Sequence, residues 1–319
     1  MQGMMTVFRK ELADHFTSLR FIILFAMVIF AGVFTLWVDV QNIRGAVTEP
    51  SQFVFLKLYT TSDESLPGLL QFLSLIAVFF VPVVGIALGF DTINEERNSG
   101  TLSRLLSQPI YRDSVINGKF LAGIVTIAIM LVSIVMLIAG TGLRMIGVPP
   151  SSEEVIRLIA FLAISIVYGA FWLSLAILFS VFFRRVATSI LASIAVWIFF
   201  IFFMPMLAGL IANVMVPIEQ GASQELIFQH AGVQIMTSQV SPITLYQQAV
   251  TVLLVPGART LGQTIQLLSG GGAWLLPNPL SVGQSLLTIW PHLVSLIALT
   301  VICFAISYTK FMREEIRST

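Results

Sequence analysis

The chain has 319 residues, 57% of them hydrophobic and 10% charged, with a mean hydropathy of +0.94 and a formal net charge of +1. Soluble domains carry about 25% charged residues, so a soluble globular protein is excluded, and a near-zero net charge offers nucleic acid nothing to bind. The single cysteine, Cys303, excludes a disulfide framework and a cysteine metal site, and its place in an apolar run makes it a packing residue.

In the first twenty residues Phe8, Leu12, Phe16 and Leu19 repeat at helical spacing against Arg9, Lys10, Glu11 and Asp14. The spacing predicts an interfacial amphipathic helix over 1–20, embedded in lipid through Phe8, Leu12 and Phe16. The apolar run behind it follows acidic residues and has no small-x-small cleavage site, which predicts a retained anchor rather than a signal peptide. Six segments contain no Asp, Glu, Lys or Arg: 21–38, 68–90, 120–143, 158–183, 186–212 and 286–309. A spanning helix needs ~20 apolar residues, so these predict an all-α integral membrane protein with six transmembrane helices in a single domain, 1–319. Spans four and five meet at a tight turn, Arg184-Arg185. With the N-terminus in the cytoplasm, twelve of the seventeen basic residues fall on that side and five, Arg44, Lys57, Arg144, Arg157 and Arg259, outside. Basic residues are retained inside, so both termini and the loop 91–119 are expected to be cytoplasmic. Residues 213–285 then form a long extracytoplasmic region, poor in charge. Within it, 241–250 predicts a helix too short to span, lying on the outer leaflet or capping a cavity between subunits.

The loop 91–119 lies between spans two and three. Gly100 ends the helix that carries Glu95, Glu96 and Arg97, and Thr101 can cap a new one. In that new helix Leu102, Leu105 and Leu106 share one face, Ser103 and Arg104 the other, and Pro109 stops it within two turns. Asp113 or Ser114 can then cap the helix that takes Lys119 back into the membrane. The pattern Glu96-Arg97-x-x-Gly100-Thr101-Leu102-x-x-Leu105-Leu106-Ser107-x-Pro109-x-x-Arg112, followed by Gly118-Lys119-x-Leu121, resembles the cytoplasmic loop of ABC-2 type permeases. The likeness is greatest to the subgroup containing the permeases of nitrous-oxide-reductase maturation and of gliding motility. It covers about thirty residues, and the rest of the chain matches only in the order of its hydrophobic segments.

The resemblance implies that this loop is a coupling helix between spans two and three that receives motion from a separate ABC ATPase. Glu95, Glu96 and Arg97 would set the charge of the docking face, with Leu102, Leu105 and Leu106 seated in the ATPase groove. Gly100, Thr101, Pro109 and Arg112 would frame the helix. It also implies a homodimer in the plasma membrane working with two ATPase copies, export as the direction, and ATP and Mg held by the partner rather than by this chain.

Other motifs carry less. Leu268-Ser269-Gly270-Gly271-Gly272 resembles the signature loop of ABC ATPases, but no G-x-x-x-x-G-K-[ST] accompanies it, so this chain is expected to bind no cofactor and catalyse no reaction. The three histidines lie in different segments without ligand partners. His292, next to Pro291, is the one inside a predicted span, and with Pro205 it is a candidate for a transport pathway or for packing. Met204 and Met206 flank Pro205 and suit either a soft metal or core filling; the expectation is no metal. Gly85-x-x-x-Gly89 permits close helix contact. Serine-nucleophile and zinc motifs are absent from the sequence. Two other classes stay open: a non-transporting scaffold or assembly factor, and an ion-coupled secondary transporter, for which His292 is the only ionisable residue at membrane depth.

Overall fold

The computed structural model describes residues 2–46, 56, 76–100, 111–147, 149–218, 223–255 and 280–313. The predicted leucine helix, Thr101 to Pro109, lies outside these residues, as does the glycine run 268–272. All described elements are helical: α1 (Gln2–Thr17), α2 (Leu19–Ala46), α3 (Val81–Gly89), α4 (Asn94–Asn98), α5 (Arg112–Ile146), α6 (Ser152–Phe182), α7 (Val186–Ile198), α8 (Met204–Met215), α9 (Gln224–Ser238), α10 (Pro242–Leu254) and α11 (Val282–Arg313). Five continuous stretches are long and apolar enough to cross a bilayer, and α1 with α2, bent by 64° at Ser18, makes up to a sixth. The bend separates the mixed-polarity α1 from the apolar α2.

The bundle is built on α6. It opens with a capping box, in which Ser151 Oγ accepts from the Glu154 amide and Glu154 accepts the Ser151 amide at 2.8 Å. Residues Ser165 to Ala176 then sit in the core, with Tyr168 and Trp172 fully enclosed. Span two reaches α6 through its glycines. A Cβ on Gly85 would lie 2.7 Å from the Trp172 Cβ, and one on Gly89 would lie 2.7 Å from the Ala176 Cβ, so only glycine admits this approach. The sequence pattern, common in any membrane protein, is here a helix weld.

The region between spans five and six does not simply cover the outside. Helix α9 packs along α8, and α10 inserts between α6 and α11, where ten of its thirteen residues are buried. Tyr246 stacks on Tyr168 at 4.3 Å and pairs with the Ser165 hydroxyl at 2.7 Å. Ser165 is thirteen residues into α6, about 20 Å along it. Helix α10 therefore re-enters the bundle and lies within it, while α9 stays on its surface against α8. The return of α10 is fixed by Arg157, read in the sequence as an outer-loop charge but wholly buried. The guanidinium donates to the Leu253 carbonyl at 2.9 Å, Ser285 Oγ at 3.1 Å, the Leu280 carbonyl and Glu153 at 2.9 Å, fastening the end of α10 to the start of α11. Buried carbonyls need a donor, and the guanidinium supplies one to each.

Candidate coupling site

The described ends of the loop 91–119 and the N-terminal helix meet at one end of the bundle. Helix α4 is five residues long, too short to persist alone, and α6 holds it. Ser180 Oγ accepts the Ile93 amide at 2.9 Å and the Asn94 amide at 3.2 Å, and donates to Asn94 Oδ1. At the other end Asn98 Nδ2 donates to the Arg184 carbonyl at 3.3 Å. Ser189 of α7 donates to the carbonyl of Phe90, the residue that caps the end of α3, at 2.7 Å. Ser99 closes α4, and Gly100 follows with φ of 70°, a left-handed conformation suited to glycine. After the loop, α5 begins at Arg112 with Tyr111 in the capping position. Asp113 and Ser114 are already inside the helix, so neither is its cap.

Helix α1 lies across these elements. Val7 and Glu11 are its buried residues, one turn apart, on the face that meets α5. Gly118 makes the approach possible, since a Cβ there would stand 3.0 Å from the Val7 Cβ and 3.1 Å from the Met4 carbonyl. One residue on, Lys119 has a side chain only 4% exposed and reaches Glu11 at 2.8 Å and Glu96 at 2.9 Å. The lysine thus ties the span after the loop to the helix before the loop and to α1. Lys10 adds an outer layer, 3.2 Å from Glu11, 3.4 Å from Asp14 and 4.0 Å from Glu96. Arg20, at the bend into α2, pairs with Asp91.

Burial pushes the Glu11 carboxyl up, but Lys119 and then Lys10 outweigh it and hold it below the ordinary carboxylate range. Burial lowers His15, with the carboxylates nearby offsetting only part of this. An open cleft of about 910 Å³ between α1 and the α3–α4 junction borders this cluster. Among the described residues no group of three or more His, Cys, Asp or Glu could hold a metal ion. What the arrangement can do is transmit force between three elements.

Sequence-predicted residues are distributed unevenly here. Glu95 is exposed, whereas Glu96 is turned inward with 13% of its side chain exposed, its charge directed at Lys119. Arg97 and Arg112 are half-buried. Phe8 and Leu12 are half-buried beside the Val7–Glu11 face, and Phe16 meets Phe21 edge-on at 4.7 Å. Elsewhere, Pro205 is exposed, and His292 Nε2 pairs with Gln248 of α10 at 2.7 Å. Met204 is buried and Met206 exposed, which turns the two thioethers to different sides. The partnership of Glu11 with Lys119 was not anticipated, although an acidic residue one turn from Val7 on an apolar-faced helix is a legible signal.

The profile of the ABC-2 family transporter proteins matches residues 5–316. The chain belongs to this family. As an ABC-2 protein it is a multi-pass membrane protein of the ABC permease type, and the resemblance first carried by the loop extends along nearly the whole sequence. It is also similar to the protein named "Probable ABC transporter permease protein NosY" from Pseudomonas aeruginosa, 28% identical over 141 residues, which is 43% of this chain and 50% of that relative. The chain therefore spans about half the length of the curated relative it matches.

Proposed function

We propose that this chain is the membrane-spanning subunit of an ATP-driven exporter, acting as a homodimer in the plasma membrane with two copies of a separate ABC ATPase that binds ATP and Mg. Both termini and the loop 91–119 face the cytoplasm and the ATPase. The observation that carries this is the convergence on Lys119 of α1, of α4 before the segment Thr101–Pro109 in the chain, and of α5 after it. A docking segment whose two roots share one buried lysine transfers a push from below to three elements at once. Glu95 and Arg97 contribute to the docking charge, and Glu96 carries the load inward. Leu102, Leu105 and Leu106 form the contact with the ATPase. Their helix is too short to be stable unaided, so their burial comes from the partner.

Replacing Leu105 and Leu106 with Asp tests this. Burying one leucine contributes about 1.5–3 kcal/mol, and an unpaired carboxylate costs more, so the double substitution is expected to abolish ATPase co-purification and stimulation of its turnover. Dimer formation and the melting temperature should stay as in the unaltered chain. A folded double variant that still binds and stimulates the ATPase would sink the assignment of these leucines as the contact surface.

A further inference from the structure

Spans two and five carry the same short pattern: Phe79-Phe80-Val81-Pro82 in one, Phe202-Phe203-Met204-Pro205 in the other. In each, the backbone winds as a π-helix up to the second phenylalanine, over Ile76–Phe80 and Phe199–Phe203, and continues as α-helix from the residue before proline. The cause is local. Proline has no N–H for the carbonyl four residues back, and its ring crowds that carbonyl; the wider π turn relieves the clash.

For Pro82 the carbonyl it cannot serve belongs to Val78, and another span serves it. Trp197, just before the π turn of span five, donates its indole N–H to the Val78 carbonyl at 2.8 Å and sets its ring edge-on to Phe79 at 5.8 Å. One broken span is held at its break by the other. Helix α10, the re-entrant element, touches both π turns. The halves of these spans toward the coupling site are fixed: Gly85 and Gly89 press α3 onto α6, and Ser189 ties α7 to Phe90. Beyond Pro205, α8 packs mainly on α9 and is exposed along most of its length.

We propose that the two π-proline turns are a coupled pair of hinges, and that the Trp197–Val78 bond is the latch holding them in the conformation seen here. Release of the latch lets spans two and five bend together. This deepens the transport function proposed above and rests on it for its role in the cycle. The geometry makes the latch two-state, because an indole N–H and a carbonyl at this depth are either joined or must each find another partner. Helix α8 is twelve residues, about 18 Å long, so a bend of about 10° at Pro205 carries its far end roughly 3 Å.

The test uses the full-length chain in nanodiscs with Cys303→Ser and nitroxides at Ala187→Cys and Val214→Cys, exposed positions on either side of the span-five turn. Trp197→Phe should broaden the distance distribution and lower the melting temperature by a few degrees. Pro82→Ala restores an N–H to the Val78 carbonyl and so removes the need for the indole. Trp197→Phe added to Pro82→Ala should therefore change neither the width nor the melting temperature further. Pro205→Ala should narrow the distribution below that of the unaltered chain. Adding the ATP-bound ATPase to the unaltered chain should move its distribution toward that of Trp197→Phe. Additive effects of Trp197→Phe and Pro82→Ala, or unchanged widths in all variants, would overturn the latch and the hinges. An unmoved distribution with ATPase bound would overturn their link to the cycle. The variant comparisons need neither ATPase nor substrate, so their failure leaves the transport function standing. Failure of the unaltered chain to bind or stimulate an ABC ATPase would remove that function and leave the hinges.

Discussion

Lys119→Met removes the one cation that is buried between Glu11 and Glu96, and its effect can be sized from the geometry. The side chain is 4% exposed, with carboxylate oxygens at 2.8 and 2.9 Å, so methionine fills the space and leaves two acids facing each other. Orphaning a buried ionic partner costs about 3–5 kcal/mol. Lys10 stays within 3.2 Å of Glu11, but its side chain is 53% exposed and well screened, which keeps the expected loss near the lower end, about 3 kcal/mol. The loss falls on the docking of α1. An opening equilibrium altered by about 3 kcal/mol moves by roughly 150-fold. Hydrogen exchange followed by mass spectrometry on the detergent-purified protein should therefore show the amides of residues 7–14 exchanging up to about 150-fold faster, with α6 unchanged. Adding Glu11→Gln should recover most of the protection, since Glu96 then faces only a neutral amide with Lys10 nearby. If exchange in Lys119→Met stays within about threefold of the unaltered chain, Lys119 does not fasten α1, and force transfer through it is refuted.

Acidification should release α1 in two steps: His15 is held below its usual value, so folding loses stability as pH falls below about 6.5, and Glu11 is held below its own, so its contribution, full above about pH 4.3, disappears as pH falls through the folded value. Spin-label mobility on α1 should follow both steps, the first missing in His15→Gln and the second in Glu11→Gln. Gly89→Val should destabilise the bundle by about 1–3 kcal/mol through overpacking against Ala176 and the Leu173 carbonyl, read as a lowered melting temperature in detergent; an unchanged melting temperature would deny the weld. Arg157→Met should cost about 3 kcal/mol or more by stranding the carbonyls of Leu253 and Leu280, and trypsin or label access should rise at 253–285 while the α1 region stays protected.

The sequence by itself determined the solvent and the local punctuation. Charge-free runs long enough to cross a bilayer can be read one residue at a time, because in lipid each helix satisfies its own backbone. Gly100 as the end of the Glu95–Arg97 helix and the bend after residue 17 are local too, set by backbone freedom and by the change from mixed to apolar residues. Other features needed the tertiary structure, because a side chain's meaning there depends on what lies across from it. Arg157 counted as an outer-loop charge until three carbonyl-bearing or hydroxyl-bearing segments were seen to close on it. The segment 241–250, short and apolar, fits a leaflet surface as well as a bundle interior, and only the stacking of Tyr246 on Tyr168 chose the interior. Glu96 and Lys119 stand 23 positions apart, each an ordinary loop charge in the sequence. Pairing strength rises as water is excluded, and only the packing of α1 against Gly118 excludes it, turning two surface charges into a buried joint.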